Sequence, residues 1–272
     1  MERTSAAPGF RFPSLTHNQR VEVPLTLANH MSWFSFAVLL VAILAGATAS
    51  VVGFGIGSLL TPLLAARYGT DVAVAAVTLP HVLATALRCW RLRAHIDRQV
   101  LVRFGLVSAA GALAGALLYT RLGPTTLTGI LGALLILTSV AQLTGWSSRW
   151  HPRGPMVAVF GLLSGFFGGI AGSQGGLRAA ALTAFQLNPA AFVATATAAG
   201  LLVDVARTPV YLWSTGAKLL PLALPIAIAA VGVLVGTVLG ERMLLGLSVR
   251  RFGQVVGVAI GALGVWLLVG AT

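Results

Sequence analysis

Three short stretches of this 272-residue chain carry residue types that could do chemistry. The first is GSQGGLR at 172–178, where Ser173, Gln174, Gly175 and Gly176 precede Arg178 inside an otherwise apolar run. The second is GFGIGSLLT at 53–61, which holds Gly55, Gly57, Ser58 and Thr61. The third is split between His81 in LPHVLAT and Asp204 with Arg207 in LLVDVAR. Glycine-rich breaks at membrane depth leave N–H and C=O groups that need protein, water or ligand to satisfy them. A helix that restarts after such a break presents free N–H groups with positive dipole character. Two such starts meeting near the midplane make an anion site. Arg178 would add a charge and a planar donor fork suited to oxyanions. Ser58, Thr61, Ser173 and Gln174 would add neutral donors, and Gly55, Gly57, Gly175 and Gly176 backbone approach. The competing reading is that these glycines only let helices pack closely.

Asp204 is the one acidic residue well inside an expected span, and an intramembrane carboxylate is a functional candidate by default. Arg207 lies three positions on, on the same helical face, so the two residues form either a structural ion pair or a proton-coupling group. His81 follows Pro80 in mid-helix and reads as a packing or hydrogen-bonding residue, or as a donor to the anion. Arg88, Arg91 and Arg93 are expected to snorkel to the cytoplasmic surface, with an inner vestibule as the alternative place for Arg88. The chain has one cysteine, no HExxH, no paired carboxylates and no GxxxxGK[ST]. Neither a metal, a nucleotide nor any other cofactor is expected, and an enzyme is disfavoured.

The elements that must hold these residues are membrane helices. Hydrophobic residues make up 57% of the chain and charged residues 9%, which excludes an ordinary soluble domain. The formal net charge of +12 comes from basic residues scattered at segment ends, which disfavours nucleic-acid binding. About eight hydrophobic segments follow one another, and the first and fifth are overlong and interrupted by the two glycine clusters. A shift of 119 positions (53 to 172) lays Gly53 on Gly172, Gly57 on Gly176, Thr78 on Thr197 and Arg88 on Arg207. Thr85 then falls on Asp204. GALAG at 111–115 pairs with GVLVG at 232–236 at a shift of 121 positions (111 to 232).

The expectation is an all-α polytopic membrane protein of two inverted repeats. Each repeat is a broken, re-entrant helical hairpin followed by three transmembrane helices. The divisions are a polar tail at 1–32, a first repeat at 33–145, a basic linker at 146–154 and a second repeat at 155–272. The tail lacks a signal-peptide pattern and reads as a short arm or an over-extended start. In this topology the loops 91–98, 145–154 and 241–251, the most basic of the chain, share one face, which the positive-inside rule assigns to the cytoplasm. Both termini then lie outside.

Taken in order, GFGIGSLLTPLL, VAVAAVTLPHVLATALRCWRLRAHID, SGFFGGIAGSQGGLRAAAL and ATATAAGLLVDVAR resemble the sulfite exporter TauE/SafE family of bacterial membrane permeases. The resemblance covers nearly the whole chain after about residue 33. It implies a multi-pass inner-membrane transporter of small sulfur-containing anions, such as sulfite or organosulfonates. A passive anion channel would use the same donors, and concentrative proton-dependent flux would separate the two. The expected partners are a small anionic substrate and the lipid bilayer; whether a homo-oligomer forms is left open.

Overall fold

The computed structural model describes residues 25–145, 154–173, 175–243 and 249–270. Most of the tail (1–24), most of the basic linker (146–153), Gln174 and residues 244–248 of the third basic loop lie outside the described residues. The described elements are helical. In the first half, α1 (Leu25–Val52) and α2 (Ile56–Tyr68) flank the first break and α3 (Thr70–Leu92) follows. Then come α4 (Arg98–Tyr119), which passes through a π-helical stretch at Leu101–Gly105, and α5 (Pro124–Thr144). The second half comprises α6 (Pro155–Ala171), α7 (Gly175–Leu182), α8 (Pro189–Leu219), α9 (Ala223–Met243) and α10 (Val249–Gly270). Helix α1 starts at Leu25, inside the stretch read as tail; its membrane-length apolar part begins at Trp33.

Helix starts follow from local chemistry. Pro124, Pro155 and Pro189 each stand at the first helical turn, where their fixed φ fits and their missing N–H costs nothing. The Asn188 side chain accepts from the Ala191 N–H at 2.9 Å and so caps α8. The stretches Trp33–Val52, Thr70–His95, Arg98–Tyr119, Pro124–Thr144, Pro189–Arg242 and Arg251–Gly270 are long and apolar enough to cross a bilayer, and Pro189–Arg242 contains both α8 and α9. Large apolar side chains such as Leu40, Leu44, Leu113, Leu117, Val231 and Val258 face outward, as a lipid-facing surface requires.

The element boundaries follow the sequence shift. Helix α1 ends at Val52 and α6 at Ala171; α2 starts at Ile56 and α7 at Gly175; α3 starts at Thr70 and α8 at Pro189. Each pair is separated by the 119 positions of the sequence shift. Packing obeys the same exchange, with α1 lying along α9 and α6 along α4, while α3 pairs with α8 and α5 with α10. A Cβ on Gly111 or Gly115 would run into the α6 backbone at Leu162 or Phe166, and one on Gly236 into Ile43 of α1. The paired GALAG and GVLVG stretches thus do equivalent work, letting two helices touch backbone to backbone.

Each broken block is a hairpin. Phe34 near the start of α1 meets Tyr68 at the end of α2, with ring centroids 5.7 Å apart, and the Arg67 guanidinium lies 4.7 Å from the Phe34 ring centroid. In the second half, Val157 and Phe160 of α6 pack in one cluster with Leu182 of α7 and with Phe185.

Candidate functional site

The two hairpin tips meet. Gly57 lies so close to the Gly172 carbonyl oxygen that any side chain would collide with it. One residue further along each chain, the hydroxyls of Ser58 and Ser173 are 3.0 Å apart. Gly53 and Gly172 adopt φ of 88° and 70°, and Gly55 adopts 135°, so these positions need glycine for its backbone freedom. Gly57 and Gly175, inside the first turns of α2 and α7, need it for space instead, since a Cβ on Gly175 would strike Phe54. The dihedral and packing readings of the glycine clusters therefore both hold, at different residues.

Ser58, Thr61, Ser173 and Arg178 are all buried, and the Thr61 hydroxyl has no hydrogen-bond partner among the described residues. Gly176 borders Thr138 of α5, and with Ser173 and Leu177 it lines a narrow recess against that helix. Arg178 falls in the first turn of α7, as its place after the break requires. One of its guanidinium nitrogens, Nη2, donates to the Gly53 carbonyl at 3.3 Å, tying the second hairpin to the first break. The other, Nη1, is buried without an acceptor among the described residues, against α8 at Gly200.

Beside the tips lies a charged cluster between α3 and α8. Arg207 donates from Nε at 3.1 Å and from Nη2 at 2.8 Å to Asp204 Oδ1, and from Nη1 at 2.7 Å to the Gly168 carbonyl in the last turn of α6. The structural ion pair of the two sequence readings is therefore present. It has a third member: His81 Nδ1 lies 2.7 Å from Asp204 Oδ2, and the Thr85 hydroxyl is 3.2 Å from the same nitrogen. A carboxylate can only accept, so an ionised Asp204 requires the His81 proton on Nδ1. His81 thus has a charged neighbour 123 positions away, which the sequence did not reveal. The Asp204 side chain is fully buried, whereas that of His81 is 12% exposed, so His81 is the accessible edge of the cluster.

Arg88 departs from its expected place. It is 2% exposed and donates Nη1 to the Ala49 carbonyl rather than reaching the surface. Arg91 and Arg93 do reach the surface, where Arg91 pairs with Glu241 at 2.7 Å and Arg93 stacks on Trp90. Two tyrosines were also missed. Tyr211 donates to the Gly169 carbonyl, and Tyr119 donates to the Asp71 carbonyl at 2.6 Å while packing against Tyr211. Nothing in their local sequence distinguishes them from aromatic packing. For Arg88 there was a signal, because the repeat shift sets it on Arg207.

Among the described residues, three buried arginines thus lie near the two breaks with one buried carboxylate, Asp204, which Arg207 bonds and which Arg88 and Arg178 feel electrostatically. Among the described residues no group of His, Cys, Asp or Glu has the clustering a metal ion needs. A sequence model of one family, described as sulfite exporter TauE/SafE, matches residues 38–267. The chain belongs to the sulfite exporter TauE/SafE family. No curated protein and no solved structure matches it. Membership and the apolar helices together make it a multi-pass membrane protein of a family of sulfur-anion exporters.

Proposed function

We propose that this protein is a secondary transporter that exports a small sulfur-containing oxyanion, sulfite or an organosulfonate, and that the anion binds where the two hairpin tips meet. The observation that carries this reading is Arg178. A charged side chain, 4% exposed, keeps one guanidinium nitrogen without an acceptor among the described residues, beside two helix starts. A buried unpaired donor is costly, and a charged one more so. An oxyanion would satisfy it while offsetting the excess of buried arginines over carboxylates. Ser58, Ser173 and Thr61 supply hydroxyls at the same place.

Asp204 and His81 suit a coupling role. Protonation of Asp204 would cancel its attraction for Arg207 and loosen the link to the last turn of α6, and His81 is the edge by which a proton could arrive. The two halves read as an inverted pair, because hairpins that each close on themselves yet touch tip to tip enter from opposite sides. Arg91, His95 and Arg98 would then face the cytoplasm together with the linker after α5 and the loop after α9.

The test is uptake of radiolabelled sulfite into proteoliposomes, with and without a pH gradient, with organosulfonates as competitors. Accumulation driven by the gradient and lost in Arg178→Ala is expected. Folded Arg178→Ala protein with wild-type affinity would remove the assigned site, and gradient-insensitive flux in the wild type would favour a channel.

A further inference from the structure

The two halves hold their own breaks in the same way, each through an arginine, and differ in what else that arginine binds. Arg207 donates Nη1 to Gly168 O; Arg88, 119 positions earlier, donates Nη1 to Ala49 O, itself 119 positions before Gly168. Each carbonyl also accepts a glycine N–H at 3.0 Å, from Gly172 and Gly53 respectively. A cation at the C-terminal carbonyls of a helix is favourable, so both arginines end the helix that precedes a break. The remaining donors of Arg207 are taken by Asp204. Asp204 corresponds to Thr85, which has no charge, and the Arg88 Nε is buried with no acceptor among the described residues. The first half therefore keeps the arginine and lacks its carboxylate. Glu241 of α9, the remaining carboxylate within electrostatic reach of Arg88, gives Oε2 to Arg91 at 2.7 Å, while its Oε1 is buried without a partner among the described residues and makes no hydrogen bond to Arg88. Arg178, with its own free Nη1, is also within electrostatic reach of Arg88.

We propose that Arg88 is a second ligand of the transported anion, whose oxygens take for Arg88 the place that the Asp204 carboxylate takes for Arg207. This rests on the transport reading above and adds to it a residue and a pose. A guanidinium edge offers parallel donors, so the site favours an anion with two oxygens on one face over a spherical halide. Because Arg88 also holds the end of α1, the anion engages the first break through Arg88 as it engages the second hairpin through Arg178.

Sulfite binding to the purified full-length chain, measured by calorimetry, tests this with Thr85→Asp. That variant supplies from within the carboxylate the first half lacks. The expected result is sulfite binding about tenfold weaker or worse. Thr85→Asn, of the same shape without the charge, is expected to stay within about twofold of the wild type. Folded Thr85→Asp protein with wild-type affinity, or equal loss in Thr85→Asn, overturns the proposal. Should Thr85→Asp fail to fold, Arg88→Lys is the deciding variant. It keeps the charge but loses Nε and the fork, so weaker sulfite binding with unchanged weak chloride binding is expected, and unchanged sulfite affinity overturns the proposal. Arg178→Ala separates the two readings. If it abolishes binding while Thr85→Asp and Arg88→Lys bind normally, only the role of Arg88 falls. If the wild type binds neither sulfite nor an organosulfonate, both fall.

Discussion

His81 Nδ1 and Asp204 Oδ2 lie 2.7 Å apart and join α3 of the first half to α8 of the second. The contact puts a group that can exchange protons against a carboxylate already bonded to Arg207, which in turn holds the Gly168 carbonyl at the second break. One proton on Asp204 therefore bears on the backbone of a hairpin tip. That chain of contacts is short, and each link can be removed singly.

Asp204→Asn keeps the shape of the side chain and removes both its charge and its proton. Sulfite accumulation driven by a pH gradient should fall to the level seen without a gradient, while exchange of labelled for unlabelled sulfite persists. Retention of gradient-driven accumulation would exclude Asp204 as the coupling group. If the variant is unstable because Arg207 is left buried and alone, Asp204→Asn combined with Arg207→Gln removes both charges and should recover folded protein.

Much of this was legible in sequence, and for physical reasons. Glycine clusters mark breaks because the chain needs positive φ there, and the 119-residue shift recurs in the helix boundaries because equivalent segments make equivalent elements. Asp204 and Arg207 were readable as a pair because i,i+3 spacing places them on one helical face. His81 was not readable as the third partner, since no local pattern reports a contact across 123 positions. For Arg88 the snorkelling reading fails and the inward alternative is nearer, because a long cation one turn from a helix end has the same local pattern whether it reaches out or in. Only its alignment with Arg207 pointed inward. The assignment of Gln174 to the site falls outside the described residues.

Gly53 and Gly57 separate backbone strain from crowding. An added Cβ on Gly53 meets nothing within 4 Å, but the residue sits at φ 88°. Gly53→Ala should cost about 1–2 kcal/mol through its dihedral alone, and Gly53→Asn less, because Asn tolerates the left-handed region. At Gly57 a methyl group is forced against the Gly172 carbonyl. Gly57→Ala should cost about 1–3 kcal/mol by overpacking and should part Ser58 from Ser173. Thermal melting gives the costs, and transport should suffer more in Gly57→Ala. Equal activities at equal stability loss would mean that tip contact does not matter to transport.

The two kinds of arginine pair should respond very differently. Arg207→Leu removes the cationic partner of a fully buried carboxylate, leaving it His81, and removes the side-chain donor to Gly168 O, with an expected loss of about 3–5 kcal/mol. Arg91→Leu breaks a pair with Glu241 in which the Arg91 side chain is 48% exposed, with an expected loss of no more than about 1 kcal/mol. Denaturation midpoints in a fixed detergent check both. Comparable losses would contradict the burial of Arg207.

The orientation of the hairpins can be read chemically because the chain has a single cysteine, Cys89, which Cys89→Ser removes. Arg67 closes the first hairpin, and Ala190 follows the second; both are exposed, as are Arg121 and His95. Inverted halves require Arg67→Cys and Arg121→Cys to react with a membrane-impermeant thiol reagent from outside the cell. They require His95→Cys and Ala190→Cys to react only after the cytoplasmic face is opened, since 91–98 is one of the most basic loops. Labelling of positions 67 and 190 from the same side would mean that the hairpins enter together. The meeting of Ser58 and Ser173 would then join two parallel loops, and the site would open toward one side of the membrane only.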